Sequence, residues 1–289
     1  MWRRLPRFLG LFALAGLGLP AALLARALAL LGARRSALRL SAATQARWGR
    51  GVLSVLGVEV VLVGTPPPGT FLIVANHLSY LDIPLLAALF PGRFVAKSEI
   101  AGWPVLGQMA RAAGTIFVVQ KRQRDVVRVE REMGATLEAG VSVLLFPEGR
   151  STRGLAIERL HSSLLECAVG SGIECLAVSL CYETPGSPWS PASTVCWWGG
   201  MGFWRHAWGL VGLPRIRATA HVAACARRGT ERKALAAALR ADLEAGFQPL
   251  PQEPIAPDSP WVELFRGSPA TETRERTGGQ GMVRAGDPG

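Results

Sequence analysis

The chain has 289 residues, which is enough for one large α/β domain or two small ones. Hydrophobic residues make up 49% and charged residues only 18%, a composition that is apolar for a soluble enzyme and indicates membrane contact. The formal net charge of +11 suits an anionic partner. Because the sequence contains no common nucleic-acid-binding motif, its apolar N-terminus favours lipid over nucleic acid as that partner.

The cysteines bear on the compartment and on metal binding. They are Cys167, Cys175, Cys181, Cys196 and Cys225. No two of them form a Cys-x-x-Cys pair, and an odd, scattered set indicates reduced thiols in a cytosolic compartment. Neither the cysteines nor the four histidines have the spacing of zinc ligands, so we predict no metal site.

The first 35 residues contain a charge-free apolar stretch at residues 8–25, with arginines on both sides. A cleaved signal peptide, a single transmembrane helix and a helical hairpin dipping into one leaflet all fit this pattern. The hairpin is favoured because residues 16–20, Gly-Leu-Gly-Leu-Pro, make a good central break. Basic residues at both ends place both ends on the cytoplasmic side. We therefore predict a membrane anchor at residues 1–35, in the inner membrane.

Short apolar runs alternate with helical segments after this anchor. Residues 36–56 indicate an amphipathic helix with a basic face, which could lie along anionic headgroups or be an ordinary surface helix. Strands are predicted at residues 58–63, 71–75, 93–97, 115–119, 142–146, 176–181 and 216–224. Helices are predicted at residues 83–90, 103–112, 124–139 and 230–246, with another after residue 155.

This alternation predicts an α/β fold in which helices flank a mostly parallel sheet, over residues 36–248. The catalytic domain is expected on the cytoplasmic face of the membrane. From residue 249 proline, glycine and charge dominate, which predicts a disordered tail over residues 249–289.

The strand at residues 71–75 leads directly to a histidine, His77. Asp82 follows five residues later, and Pro84 suits a first helical turn, so Asp82 is predicted to cap the helix that begins there. A short turn can bring His77 and Asp82 together. A carboxylate on one imidazole nitrogen leaves the other nitrogen free as a base. The alternative is an isolated loop histidine beside a capping aspartate.

A second block of functional residue types, Phe-Pro-Glu-Gly-Arg at residues 146–150, follows another buried strand. Together with the earlier block, in which Asn76 and His77 precede Asp82, it resembles the glycerolipid acyltransferase family, which includes the 1-acylglycerol-3-phosphate acyltransferases. The resemblance covers roughly residues 50–225. It implies an enzyme that moves a fatty acyl group from acyl-CoA or acyl-carrier protein to the free hydroxyl of a lysophospholipid, with no metal and no bound cofactor.

The resemblance also assigns roles to the first block. His77 would be the general base that takes a proton from the acceptor hydroxyl, and Asp82 would orient it. Ser79 is close enough in sequence to suggest a serine nucleophile instead. The family transfers the acyl group directly to the acceptor, which opposes this alternative.

The acceptor implied first is 1-acylglycerol-3-phosphate, which would give phosphatidic acid. Lys97 and Arg150 are the candidates to bind its phosphate, and Arg150, Arg153 or both could meet the anion. Glu148, beside Gly149, is expected to bind backbone N–H groups and to hold the phosphate pocket in shape.

Two departures from the family pattern weaken this particular acceptor. Arg150 follows Gly149 directly, and Ser151 takes the family's usual arginine position. Gln120 stands where an arginine is expected, although Lys121 and Arg122 follow it. Residues 196–206 also resemble members that acylate other lyso-lipids, including lyso-ornithine lipid enzymes. Acylation of such a lipid and a non-catalytic membrane-surface binding protein are the alternatives.

Overall fold

A computed structural model describes residues 3–103, 106–119, 123–170 and 172–252. The strands in chain order are β1 (Val58–Val63), β2 (Leu72–Ala75), β3 (Gly92–Lys97), β4 (Ile116–Val118), β5 (Ser142–Leu145), β6 (Cys175–Glu183) and β7 (Ile216–Val222). They form one sheet in the order β1-β7-β6-β2-β5-β3-β4. The β6–β7 pair is antiparallel and the other pairs are parallel, which confirms the predicted mostly parallel sheet.

Helices cover both faces of this sheet. In chain order they are α1 (Arg4–Leu17), α2 (Leu19–Leu30), α3 (Arg34–Leu56), α4 (Asp82–Leu89), α5 (Leu106–Ala112), α6 (Gln123–Glu138), α7 (Pro191–Thr194), α8 (Phe203–Val211) and α9 (Arg232–Gly246). One core packs α3, α4 and α8 on the sheet, and the other packs α6 and α9. Strands β2 and β5 are buried along their whole length, which explains why they are apolar runs without alternation.

The N-terminal region differs from the predicted hairpin. Only Gly18 separates α1 from α2, and its φ of −74° and ψ of −21° are helical. Pro20 lies in the first turn of α2. Backbone N–H groups in a first turn have no partner within the helix, so proline is tolerated there. The predicted reversal at residues 16–20 is therefore wrong. The segment Arg4–Leu30, which contains an 18-residue stretch with a mean hydropathy of 2.1, is long and apolar enough to cross a membrane, judged by length and composition.

The chain reverses instead at Gly32, which has a φ of +82°. Helix α3 then packs against α2 and against α4. A Cβ on Gly49 of α3 would lie 2.5 Å from the carbonyl oxygen of Pro84, so this close packing requires glycine. Arg39 of α3 donates a hydrogen bond to the carbonyl oxygen of Ala139 at 2.8 Å. These contacts favour a packed helix over one that lies freely along headgroups.

Two further predictions concern the regions after residue 155 and after residue 248. The helix expected after residue 155 is a 3₁₀ segment, Ser162–Ala168. Leu250 is buried, and its N–H donates to the carbonyl oxygen of Gly154 at 2.8 Å, so the chain still packs on the domain there. The rest of the predicted tail, residues 253–289, lies outside the described residues, as do residues 120–122.

Candidate active site

Three neighbouring parallel strands carry the candidate residues at their carboxyl ends. Strand β2 leads to Asn76 and His77, β5 leads to Glu148, and β3 ends at Lys97. The sheet order places β2, β5 and β3 side by side. Carboxyl ends of parallel strands meet at one edge of a sheet, which is where α/β proteins bind ligands. The topology therefore brings the two sequence blocks together.

His77 and Asp82 form a hydrogen-bonded pair. Asp82 Oδ2 lies 2.8 Å from His77 Nδ1. The same oxygen accepts the N–H groups of Leu78 at 2.6 Å and Ser79 at 2.9 Å. Asp82 is the first residue of α4. Its carboxylate nevertheless binds the N–H groups of the preceding turn and not those of the helix. The prediction that Asp82 caps the helix is wrong, because this turn already supplies its side chain with donors.

Strand β6 supports the pair from behind. Tyr182 donates its hydroxyl to Asp82 Oδ1 at 2.7 Å, and both residues are buried. Asn76 exchanges two hydrogen bonds with the backbone of Leu180, at 2.7 and 3.1 Å. Sequence analysis missed both supports. Asn76 stood in the first block without a role, and Tyr182 lies 100 residues from Asp82, so no local pattern connects them.

The imidazole of His77 is held at the wall of a cavity. Its ring stacks on Phe146, with centroids 4.2 Å apart and an interplanar angle of 17°. The side chain is 20% exposed. Within the described part of the chain, no group forms a hydrogen bond with Nε2. An N–H at Nδ1 that donates to Asp82 leaves the lone pair on Nε2, so this nitrogen can act as a base.

Ser79 is poorly placed as a nucleophile. It is fully buried, and its hydroxyl oxygen accepts the N–H of Leu81 at 3.3 Å. Ser79 is not among the described residues that line the cavity. This geometry therefore favours direct transfer of the acyl group to the acceptor over transfer through a serine nucleophile.

Glu148 ties the second block to the first. One carboxylate oxygen accepts the N–H of His77, and the other accepts the N–H of Glu158, each at 3.1 Å. Burial raises the pKa of Glu148 from 4.5 to about 7, while the two N–H groups lower it. Gly149 follows with a φ of +70°, and a Cβ there would lie 3.2 Å from the ring of His161. The loop is therefore shaped by glycine and by a buried carboxylate.

The cationic candidates gather beside this loop and line the same cavity. Lys97 Cε lies 3.7 Å from where a Cβ on Gly149 would be. The Arg150 side chain is 76% exposed, and its Nη2 lies 4.0 Å from Glu158. The guanidinium of Arg153 lies 5.6 Å from the centre of the Trp198 ring. Lys97 and Arg150 are open to an anion, whereas Arg153 already has an aromatic partner.

The cavity extends from these polar groups to the N-terminal helices. Its volume is about 1480 Å³, larger than the roughly 300–1,000 Å³ of a typical small-molecule pocket. Its apolar wall includes Phe8, Leu11 and Ala15 of α1 and Trp48 and Val52 of α3. A polar end with a base and cations, joined to a long apolar end, fits an amphiphilic molecule.

Comparison with known proteins agrees with this geometry. Residues 60–181 match the model of the acyltransferase family. The chain is 41% identical over 136 residues to the 1-acyl-sn-glycerol-3-phosphate acyltransferase of Neisseria meningitidis serogroup B, covering 46% of this chain and 53% of that protein. It is 36% identical over 141 residues to the lyso-ornithine lipid O-acyltransferase of Pseudomonas aeruginosa, covering 49% and 54%. The chain thus spans about half the length of these curated relatives.

The fold is also similar to a solved structure. The crystal structure of the 1-acyl-sn-glycerophosphate (LPA) acyltransferase PlsC from Thermotoga maritima superimposes with a TM-score of 0.52. The match covers 74% of this chain and 80% of that chain, at 22% sequence identity. This similarity concerns the fold.

Proposed function

Because residues 60–181 form an acyltransferase-family domain, we propose that the protein is an O-acyltransferase of lysophospholipids. It moves a fatty acyl group from the thioester of acyl-CoA or acyl-carrier protein to a free hydroxyl. The observation that supports this most is the His77–Asp82 pair, whose free nitrogen faces an apolar cavity with cations at its polar end. The chemistry requires no metal and no bound cofactor.

The reaction proceeds by direct transfer. His77 Nε2 takes the proton of the acceptor hydroxyl as its oxygen attacks the thioester carbonyl carbon, and a C–O bond forms. The tetrahedral intermediate collapses, the C–S bond breaks, and the thiolate takes the proton from the imidazolium. Asp82 stabilises the imidazolium between these steps. General base catalysis of this kind contributes about 10²- to 10⁴-fold in rate.

The acceptor is 1-acylglycerol-3-phosphate, and the product is phosphatidic acid. Lys97 and Arg150 bind the phosphate, since both line the polar end of the cavity near His77. Arg153 contributes less, because it lies over Trp198. Gly149 gives the loop its tight turn, and Glu148 holds the loop against the backbone of His77.

A second candidate acceptor is lyso-ornithine lipid, the substrate named for several relatives of this chain. Two carboxylates, Glu99 and Glu158, line the cavity together with the cations. A headgroup that carries an ammonium and a carboxylate would use both kinds of side chain, whereas a phosphate would use the cations alone.

The protein acts at the membrane, on the cytoplasmic face of the inner membrane. The apolar segment Arg4–Leu30 supports membrane association. Its exposed side chains include Leu5, Leu9, Leu17, Leu23 and Leu24. Four buried cysteines, none of them in a disulfide among the described residues, and arginines on both sides of the segment support the cytoplasmic orientation.

A screen of acceptors tests the proposal. Purified full-length protein in detergent is given acyl-CoA or acyl-carrier protein and a panel of lysolipids, and products are read by mass spectrometry. We expect thioester consumption that depends on the lysolipid and is fastest with 1-acylglycerol-3-phosphate. Fastest turnover with lyso-ornithine lipid would select the second acceptor. Lysolipid binding without any thioester consumption would instead identify a non-catalytic membrane-surface protein.

A further inference from the structure

The carboxylate of Asp82 receives hydrogen bonds on both oxygens from different parts of the fold. Oδ2 bonds to His77 Nδ1 and to two amides of the preceding turn. Oδ1 bonds to the hydroxyl of Tyr182 on β6 at 2.7 Å. Asp82 is fully buried and Tyr182 is only 1% exposed, so water does not replace this donor. Both oxygens are thus held, and the plane of the carboxylate is fixed.

We infer that Tyr182 is a positioning residue for the His77–Asp82 pair, an assignment that rests on the proposed function. Tyr182 is not among the described residues that line the cavity, so it acts through Asp82 and not through the substrate. Without its hydroxyl, Oδ1 loses its donor, and the carboxylate, held only through Oδ2, can tilt together with the ring of His77. A misoriented base lowers the rate of transfer without weakening substrate binding.

The hydroxyl also tunes the basicity of His77. A donor on Oδ1 draws negative charge away from Oδ2, the oxygen that faces the imidazole. Removing this donor makes Oδ2 a stronger acceptor and favours the imidazolium, so His77 should become more basic. A stronger phenol donor should have the opposite effect.

Other titratable and charged groups surround the pair. Cys181 and Cys196 lie near Tyr182 and Asp82, and burial raises the pKa of both thiols and of Tyr182, so all three stay neutral near pH 7. Glu148 bonds to the His77 backbone, and Lys97 lies beyond it beside Gly149. Glu148 has a pKa of about 7, so a pH dependence of kcat alone could report Glu148, and the titration must be read on His77 itself.

The test compares Tyr182→Phe with Ser179→Ala. Ser179 lies on the same strand, is also buried and donates its hydroxyl to Leu243, away from the pair. Both variants lose one buried hydroxyl from β6. The readouts are kcat and KM across pH, and the imidazole signals of His77 by nitrogen-detected NMR of the full chain in detergent, assigned with His77→Ala.

Tyr182→Phe should lower kcat about tenfold with both KM values unchanged. The His77 titration should move upward by roughly 0.5 to 1 pH unit. Ser179→Ala should leave the titration and kcat in place, even if it lowers the melting temperature. A Tyr182→Phe protein with wild-type kcat and an unmoved His77 titration overturns the inference.

A second variant serves if Tyr182→Phe does not fold. The chain has only two tyrosines, so 3-fluorotyrosine incorporated in a Tyr80→Phe background changes Tyr182 alone. The more acidic phenol should move the His77 titration downward relative to the same background with ordinary tyrosine, and no movement overturns the inference.

The NMR readout does not require activity. A wild type that transfers nothing would refute the proposed function, whereas an active wild type with an unmoved titration in the variants would refute only the role of Tyr182.

Discussion

Arg7 Nη1 on α1 lies 2.8 Å from the carbonyl oxygen of Leu213, to which it donates a hydrogen bond. The same nitrogen donates to Val211 at 2.9 Å, so one arginine satisfies two carbonyl groups at the end of α8. Phe8 stacks on Trp208 of α8, with ring centroids 5.2 Å apart. The start of the N-terminal helix is thus docked on the domain, and the helix forms one wall of the cavity that contains His77.

Removing residues 1–33 is therefore expected to have two effects. The protein should no longer bind vesicles of anionic lipid, because the exposed apolar side chains of α1 and α2 are gone, and transfer should be lost, because a cavity wall is missing. Co-sedimentation and turnover measure the two effects.

Arg7→Ala is the control: it keeps the apolar helix and should stay on the vesicles, while the acceptor KM rises. A folded, truncated protein that still pellets completely with vesicles would place the membrane attachment in the catalytic domain.

Arg150 is expected to bind the acceptor phosphate. Its side chain is largely exposed at the cavity, and its nearest acidic partner, Glu158, is 4.0 Å away. Arg150→Ala should raise the KM for 1-acylglycerol-3-phosphate about tenfold and lower kcat, and Arg150→Lys should recover only part of this loss, because a point charge cannot make a two-pronged contact. Arg153→Ala should have a smaller effect, and the donor KM should change little in each variant.

The competing explanation is that Arg150 only attracts anionic membranes. Arg240→Ala is the matched control, since Arg240 is an exposed arginine on α9 that does not line the cavity among the described residues. The variants are measured with phosphate-bearing and phosphate-free lysolipids at two ionic strengths. A loss that is equal for both acceptors and is reproduced by high salt would refute the phosphate site and favour the lyso-ornithine lipid alternative.

Glu148 is expected to make stability depend on pH. Its pKa is raised from 4.5 to about 7 in the folded protein, so between these values the unfolded chain has already released the proton that the fold retains. The contribution to stability is present below pH 4.5 and is lost as pH rises to about 7, amounting to about 3 kcal/mol. Glu148→Gln cannot titrate and should lack this loss. Melting temperatures of the wild type and of Glu148→Gln between pH 4.5 and 7.5 measure this loss. If the two proteins show the same dependence of melting temperature on pH, the raised pKa of Glu148 is contradicted.

The sheet and the His77–Asp82 pair could be predicted from sequence because each depends on local patterns. Strands such as β2 and β5 are short apolar runs, and the five-residue spacing from His77 to Asp82 is spanned by one turn. The Glu148 loop was predicted for a similar reason, since an acidic residue beside glycine follows a buried strand. These features need no knowledge of distant contacts.

The remaining features depend on contacts between distant segments. The hydroxyl of Tyr182 reaches Asp82 across 100 residues, and Arg7 reaches Leu213 across 206, so neither partner is visible locally. The predicted reversal at residues 16–20 failed because glycine permits a turn without requiring one, and Gly18 adopts helical angles. From sequence alone, the side chain of Asp82 could either cap its helix or bind the preceding turn. In the structure it binds the preceding turn, which also carries His77.

The most direct measurement of the central claim is lysolipid-dependent thioester consumption by wild type, His77→Ala and His221→Ala in detergent. His221 lies on β7 and is not among the described residues of the cavity wall, so His221→Ala controls for the loss of a histidine. We predict that His77→Ala lowers turnover at least about 10²-fold with its fold and lysolipid binding retained, and that His221→Ala stays near wild type. Asp82→Asn should also lower turnover strongly, because the wrong tautomer of His77 becomes allowed. A folded His77→Ala protein that keeps most of the wild-type turnover would contradict the account.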